Sequence, residues 1–212
     1  MSTSGEEAQN DPDIIKVNSD GMVIFSISIS KLNDPKIVLA AVKKNGLALK
    51  HASDEMKDNH DIVLAAVKKN GLALQYASDE MKNNYDIVLA AVKQNGMALR
   101  YASDEMKNNY DIVVPAVCQN GMALQFTSDR FKSDRRLVYN AVKRNGMALQ
   151  YASGELKSDY VIVFYAFNKN NESFKFANED TENYEVLKTR YLKYIKKYSS
   201  SSWELVEERP YY

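Results

Sequence analysis

The chain has 212 residues, 45% of them hydrophobic, and its 28 lysines and arginines balance 28 aspartates and glutamates. That length and apolar content can build a substantial core, while the charge balance gives no global field to draw nucleic acid or anionic lipid. A lone cysteine, Cys118, excludes an internal disulfide and suits a reducing compartment, and no apolar run approaches the ~20 residues of a membrane span.

The N-terminal MSTSGEEAQNDPD is polar and acidic, unlike a signal or transit peptide, and residues 1–12 read as a disordered tail. Residues 13–33 read as a degenerate N-terminal cap. Within them MVIFSISI, at 22–29, alternates like a strand, so this stretch is either strand or irregular cap. From residue 34 the sequence repeats itself. Gly46, Gly71, Gly96, Gly121 and Gly146 each follow an asparagine at a spacing of 25 residues, and Gly21 stands one period upstream. Ala41, Ala66, Ala91, Ala116, Ala141 and Ala166 keep the same register, as do Leu49, Leu74, Leu99, Leu124 and Leu149. A sustained period of this size means a solenoid rather than a globule, and residues 34–158 read as a five-module helical array.

The module at 59–83 shows the local physics. Asn59 and Asp61 offer short oxygens to the orphan N–H groups of a first helical turn. Ile62, Val63, Ala66 and Val67 form one apolar stripe, and Lys68 and Lys69 complement the negative end of the helix dipole. The pair Asn70-Gly71 predicts a stop in which glycine takes the left-handed conformation. LALQYA then predicts a second, shorter helix, and Ser78-Asp79-Glu80 a capped turn carrying Met81. Helices this short cannot bury their stripes alone, but stacked on copies of themselves they can.

Residues 159–180 read as a degenerate sixth module in which Phe167, Asn171, Phe174 and Phe176 replace the usual Val, Gly, Leu and Tyr. Residues 181–198, capped by Thr181, place Tyr184, Leu187, Tyr191, Ile195 and Tyr198 on one face and read as a C-terminal capping helix. The rest, 199–212, is SSSS followed by WELVEERPYY, a flexible tail. The whole predicts an all-α, right-handed α-solenoid of 25-residue helix-turn-helix modules with degenerate end caps.

DIVLAAVKKNGLALQYAS, with its frame AV-x-x-NG-x-AL-x-YAS, resembles a tandem-repeat family known only as a domain of unknown function, over roughly 34–178. The resemblance implies an intracellular interaction role, in cytoplasm or nucleus, since such repeats occur in protists, large DNA viruses and bacteria living inside host cells. For a bacterial member it also admits an effector translocated into the host. It carries over no catalytic or binding residue, because none is established for the family.

Chemistry is sparse in the lattice. His51 and His60 stand where other modules have Tyr76 and Tyr85, so they read as aromatic substitutes rather than metal ligands. Cys118 replaces Lys93 and Lys143 at a helix end, with no histidine in register to make it a nucleophile. The glycines form no phosphate cradle, and no cofactor or metal is expected. Asp54, Asp79, Asp104 and Asp129 read as helix-start residues, with Lys57, Lys82, Lys107, Lys132 and Lys157 neutralising them between neighbouring turns; such exposed pairs contribute only ~0–1 kcal/mol each. The ladder His51, Tyr76, Tyr101, Phe126, Tyr151, Phe176 reads as rings packed between modules, with base or peptide stacking as the alternative.

Broken repetition says more, because core positions must repeat while contact positions are free to differ. Leu39, Leu64 and Leu89 become Val114, Tyr139 and Phe164; Ala40, Ala65 and Ala90 become Pro115, Asn140 and Tyr165. Pro115 predicts a kink or late start in the fourth long helix, since an interior proline costs up to ~3 kcal/mol. Residues 130–144 hold six basic residues and one acid, Asp134. There Arg130 could bridge Glu105 and Glu155, and Arg136 could meet Asp111, or the cluster could form an anion or acidic-peptide site. The expected function is a non-enzymatic protein–protein interaction scaffold with an unidentified protein partner and no membrane contact. Its expected partner-binding residues are Arg130, Lys132, Arg135, Arg136, Tyr139, Asn140, Phe164 and Tyr165. The rival is binding of RNA or another polyanion through the basic and aromatic ladders.

Overall fold

The computed structural model describes residues 33–179 and 184–198. The expected N-terminal tail, the strand-like stretch at 22–29, the cap at Thr181 and the tail at 199–212 lie outside the described residues. Among the described residues every regular element is helical. The long helices are α1 (Pro35–Lys44), α3 (His60–Lys69), α5 (Tyr85–Gln94), α7 (Tyr110–Gln119), α9 (Arg135–Arg144) and α10 (Tyr160–Lys169), each of 10 residues. Four-residue turns of helix follow in the first four modules: α2 (Asp54–Lys57), α4 (Asp79–Lys82), α6 (Asp104–Lys107) and α8 (Asp129–Lys132). The last described helix is α11 (Tyr184–Tyr198).

Between long helix and short turn lies the second, shorter helix that the sequence predicts, and it is a six-residue 3-10 helix, such as Gly71–Tyr76. Asn70 makes the corner. Its extended backbone (φ −151, ψ 109) ends α3, its N–H returns to the Ala66 carbonyl at 2.8 Å, and its side chain accepts from Leu72 N–H. The next bond, Ala73 N–H to the Asn70 carbonyl at 2.9 Å, spans three residues and sets the tighter coil. Asn59 caps α3 and Ser78 caps α4 as the sequence predicts, accepting from Ile62 and Met81 N–H respectively.

The glycine after the corner has a different reason from the expected one. None of the five repeated glycines sits in the left-handed region; instead, a Cβ on Gly71 would lie 2.4 Å from the carbonyl oxygen of Ala91 in the following module. The same clash, at 2.3 Å, faces Gly46, Gly96, Gly121 and Gly146. Glycine is required because two backbones touch across the module boundary. At the equivalent place in the sixth module the glycine is replaced by Asn171.

Each inner long helix packs on both neighbouring long helices, on its own 3-10 helix and on the one before. Two layers result, with the core between them. In the second module Val63, Ala66, Val67, Ala73 and Leu74 are fully buried, and the core runs continuously from Val38 to Leu187. Full burial of a Val or Leu is worth ~1.5–3 kcal/mol, but only neighbours can supply the missing walls. A backbone ladder pins them: Ser78 N–H to Lys57 carbonyl (2.9 Å), Ser103 to Lys82 (3.0 Å), Ser153 to Lys132 (2.9 Å) and Asn178 to Lys157 (3.1 Å).

Pro115 does not delay α7, which keeps the bounds of its neighbours; Asn109 caps it and Val113, Ala116 and Val117 are held fully buried on either side of the proline. The sixth module, despite its substitutions, folds as the others do. Its larger rings meet a different cover: Phe174 stacks on Tyr184 of α11 at 5.0 Å, and Leu187 of the same helix is buried.

Candidate functional site

The long helices lie side by side and present a ribbon of half-exposed positions. Across the first three modules this ribbon is Leu39, Leu64 and Leu89 beside Ala40, Ala65 and Ala90. Between α3 and α5 it forms an open concavity of about 620 Å³, lined by Leu64, Leu89, Ala90, Lys68, Lys93 and Gln94 among others. Leucine and alanine repeat here because they close the surface without filling it.

In the fifth and sixth modules the same positions carry rings. Tyr139 and Tyr165 meet edge to face at 4.9 Å and 78°. Phe164 meets Tyr165 at 5.9 Å and 86°, and stacks on Tyr160 at 5.9 Å and 25°. The hydrogen bond to the Tyr139 hydroxyl pushes the Tyr165 phenol above its ordinary pKa, and Lys143 Nζ lies 5.3 Å from the centre of the Tyr139 ring. Tyr165 remains 37% exposed, and Asn140 is exposed beside it. The result is a rigid aromatic patch with hydroxyl, amide and ammonium groups at its rim, the composition that anchors interfaces.

The expected site residues divide. Tyr139, Asn140, Phe164 and Tyr165 come together on this patch, and Arg136 shares the Tyr139–Asn140 side of α9 by its three- and four-residue spacing. Arg130 bridges neither Glu105 nor Glu155. It donates to the Asn108 carbonyl and lies 4.4 Å over the Phe131 ring, while Glu105 accepts from Asn83. Lys132 pairs with Asp129 at 2.9 Å, inside its own turn; the same three-residue pairing joins Lys57, Lys82 and Lys107 to Asp54, Asp79 and Asp104, where pairing between neighbouring turns was expected. Arg136 makes no ion pair with Asp111 or any other acid among the described residues.

Arg135 is held by Asp159, with Nε at 2.7 Å from Oδ2 and Nη2 at 3.4 Å from Oδ1. Asp159 also caps α10 through the N–H groups of Val161 and Ile162. Partial burial pushes its carboxyl up, but the Arg135 guanidinium and these amides outweigh burial and hold it below the usual carboxylate range. This pair is a clamp between the fifth and sixth modules.

Three cations escaped the residue-by-residue reading. Lys143, Arg144 and Lys169 join Asn140 and Cys118 around a concavity of about 450 Å³ at the C-terminal ends of α7, α9 and α10. The sequence signal was present in the basic count over 130–144, which included Lys143 and Arg144, but Lys169 comes from the next repeat. Also unforeseen was a glutamine clamp: Gln94 Oε1 accepts from Gly71 N–H, and Gln119 Oε1 from Gly96 N–H, both at 2.6 Å.

The aromatic ladder Tyr76, Tyr101, Phe126, Tyr151, Phe176 is half-buried against the core, as read from the sequence. No group of three or more His, Cys, Asp or Glu side chains among the described residues is placed to hold a metal ion. No described helix is long and apolar enough to cross a membrane.

The family model described as "Domain of unknown function (DUF4116)" matches at residues 13–57, 34–82, 59–107, 84–132, 109–148 and 134–181. Most matches span two modules and start about one module after the last, so the family's unit is a pair of modules sharing one boundary. No curated protein and no solved structure is similar enough to this chain to count as a match. With its glycine boundaries, asparagine corners and six overlapping matches, the chain belongs to the DUF4116 family, as a tandem helical-repeat array.

Proposed function

We propose that this chain is a non-enzymatic scaffold for protein–protein interaction, acting in cytoplasm or nucleus, with the long-helix face of the fifth and sixth modules as its contact surface. The observation that carries the reading is the aromatic patch of Tyr139, Phe164 and Tyr165, standing where the first three modules have leucine and alanine. Tyr139 and Phe164 rest half-buried on the core and both meet Tyr165, which stands 37% exposed, and rings held in place in this way lose little entropy on binding.

Binding of RNA is the weaker reading. Its stacking platform would be the aromatic ladder, whose rings are half-buried against the core, and two of the basic residues it would use, Lys132 and Arg135, are already paired with carboxylates. The test is affinity capture from the native cell with wild type, with Tyr139→Ala/Tyr165→Ala, and with Leu64→Ala/Leu89→Ala. A partner lost only with the tyrosine pair supports the reading. A partner retained by that variant removes this surface from consideration.

A further inference from the structure

We infer that the C-terminal ends of α7, α9 and α10 form a pair of adjacent notches that receive two carboxylates of an acidic peptide segment on a protein partner. This rests on the interaction reading above and names the partner's chemistry.

The observation is a substitution at one register position. At two module boundaries the glycine N–H is occupied by a glutamine amide oxygen, Gly71 by Gln94 and Gly96 by Gln119. At the next two boundaries the residue in the glutamine's place is Arg144 and then Lys169. A guanidinium or an ammonium donates and cannot accept. The backbone around the notch is nevertheless unchanged. The corner asparagines Asn70, Asn95, Asn120 and Asn145 all lie within φ −145 to −151 and ψ 109 to 111. The clearance from each glycine to the following alanine carbonyl is likewise constant, at 2.3–2.4 Å for an added Cβ. Gly121 and Gly146 therefore aim their N–H groups as Gly71 and Gly96 do, and no acceptor meets them among the described residues.

Each of these notches thus brings together a backbone donor and a cation where the central modules place an amide oxygen. An oxygen anion satisfies both. Gly46 with Lys69 repeats the arrangement singly at the other end of the array; only Gly121 and Gly146 are neighbours. Arg144, whose Cβ would lie 3.2 Å from a Cβ on Gly121, and Lys169 also line the 450 Å³ concavity with Asn140, Lys143 and Cys118, and no carboxylate stands on its walls. None of its three cations has an ion-pair partner among the described residues.

Spacing and number select the ligand. Packed helices stand ~8–10 Å apart, so the two notches have about that separation. Carboxylates three residues apart on an extended peptide are ~10 Å apart at about 3.3 Å per residue. A nucleic acid draws its affinity from a longer track of phosphate contacts, about six to ten in strong binders. Three cations beside Tyr139 and Tyr165 suit a short acidic segment with apolar or aromatic neighbours. Cations at a helix end also complement its dipole, but that role leaves the glycine N–H groups unanswered.

The test is an amide-resolved NMR titration of the full chain with a blocked decapeptide whose two glutamates stand three apart among glycines and tyrosines. The Gly121 and Gly146 amides should shift on saturation while those of Gly71 and Gly96 stay still. Arg144→Gln/Lys169→Gln installs the clamp native to the central modules and should weaken peptide binding at least tenfold. Gln119→Arg opens a third notch at Gly96 and should tighten binding several-fold, which keeps the question decidable should the glutamine pair disturb folding. Unmoved Gly121 and Gly146 amides, unchanged affinity in both variants, or tenfold tighter binding of an oligouridine of equal charge would each overturn the proposal. A partner captured through Tyr139 and Tyr165 but indifferent to the glutamine pair would leave the scaffold reading standing and remove this one.

Discussion

The second and third modules and the fifth and sixth share a backbone and differ in what they show to solvent. In the first pair, leucine and alanine line the long-helix face, and glutamines close the glycine notches. In the second pair the face carries Tyr139, Phe164 and Tyr165, arginine and lysine replace the glutamines, and the Arg135–Asp159 clamp joins the two modules. Their interiors are the same: Ile62, Val63 and Ala66 correspond to Leu137, Val138 and Ala141, all buried. In a solenoid the positions that repeat are those a neighbouring module touches, so departures on the open face report on something outside the array.

The comparison can be broken most severely at a boundary. Gly96→Ala forces a Cβ against the Ala116 carbonyl and should cost about 3 kcal/mol, the upper range for overpacking. Urea unfolding measures it, with Gly154→Ala as control, because nothing lies within 4 Å of a Cβ there. The clamp comes next. Asp159→Ala removes the α10 cap, worth ~1–2 kcal/mol, and frees Arg135, which should appear as faster amide exchange in the sixth module before the second. Asp159→Asn keeps the cap and isolates the ion pair. Because the Asp159 carboxyl is lowered in the fold, its stabilisation is present above the unfolded value of about 4 and lost as pH falls through the folded one. Melting curves of wild type and Asp159→Asn should therefore differ at pH 7 and converge in acid.

Smaller effects sharpen the comparison at the edge of the array. Ser173 occupies the place of Ala48, Ala73, Ala98, Ala123 and Ala148, and its buried hydroxyl has no hydrogen-bond partner among the described residues. Ser173→Ala should stabilise the sixth module by about 1 kcal/mol, seen as a higher midpoint in denaturant. Gly154→Ala should gain about 0.5 kcal/mol by restricting the unfolded chain, since this glycine needs no left-handed backbone.

Much of this was legible in the sequence because its causes are local or periodic. Asn59 and Ser78 announce their caps, and the spacing of Ile62, Val63, Ala66 and Val67 announces the buried stripe. What was misread had its cause elsewhere in the chain. Gly71 looks like a helix stop from its neighbours alone, and its real constraint is a carbonyl 20 residues on. The six residues after it read as a short helix without its type, because the choice of a 3-10 coil depends on the Asn70 carbonyl that closes it. Arg130 was matched to acids in its ladder, yet its partner is the Asn108 carbonyl, which no residue type advertises. Pro115 was expected to kink α7 or delay its start, and the start is not delayed, because Asn109 caps the helix at the bounds its neighbours keep. Within the site, the aromatic patch was visible as broken repetition. The cation notches were not, because each is divided between two modules.

The most direct measurement transplants one face onto the other. Tyr139→Leu, Asn140→Ala, Phe164→Leu and Tyr165→Ala together give the fifth and sixth modules the face of the second and third, and affinity for the captured partner is then measured beside the melting temperature. The account predicts a melting temperature within a few degrees of wild type and at least a hundredfold loss of affinity. Unchanged affinity, or a collapse of the array with the partner still bound by what remains folded, would contradict it.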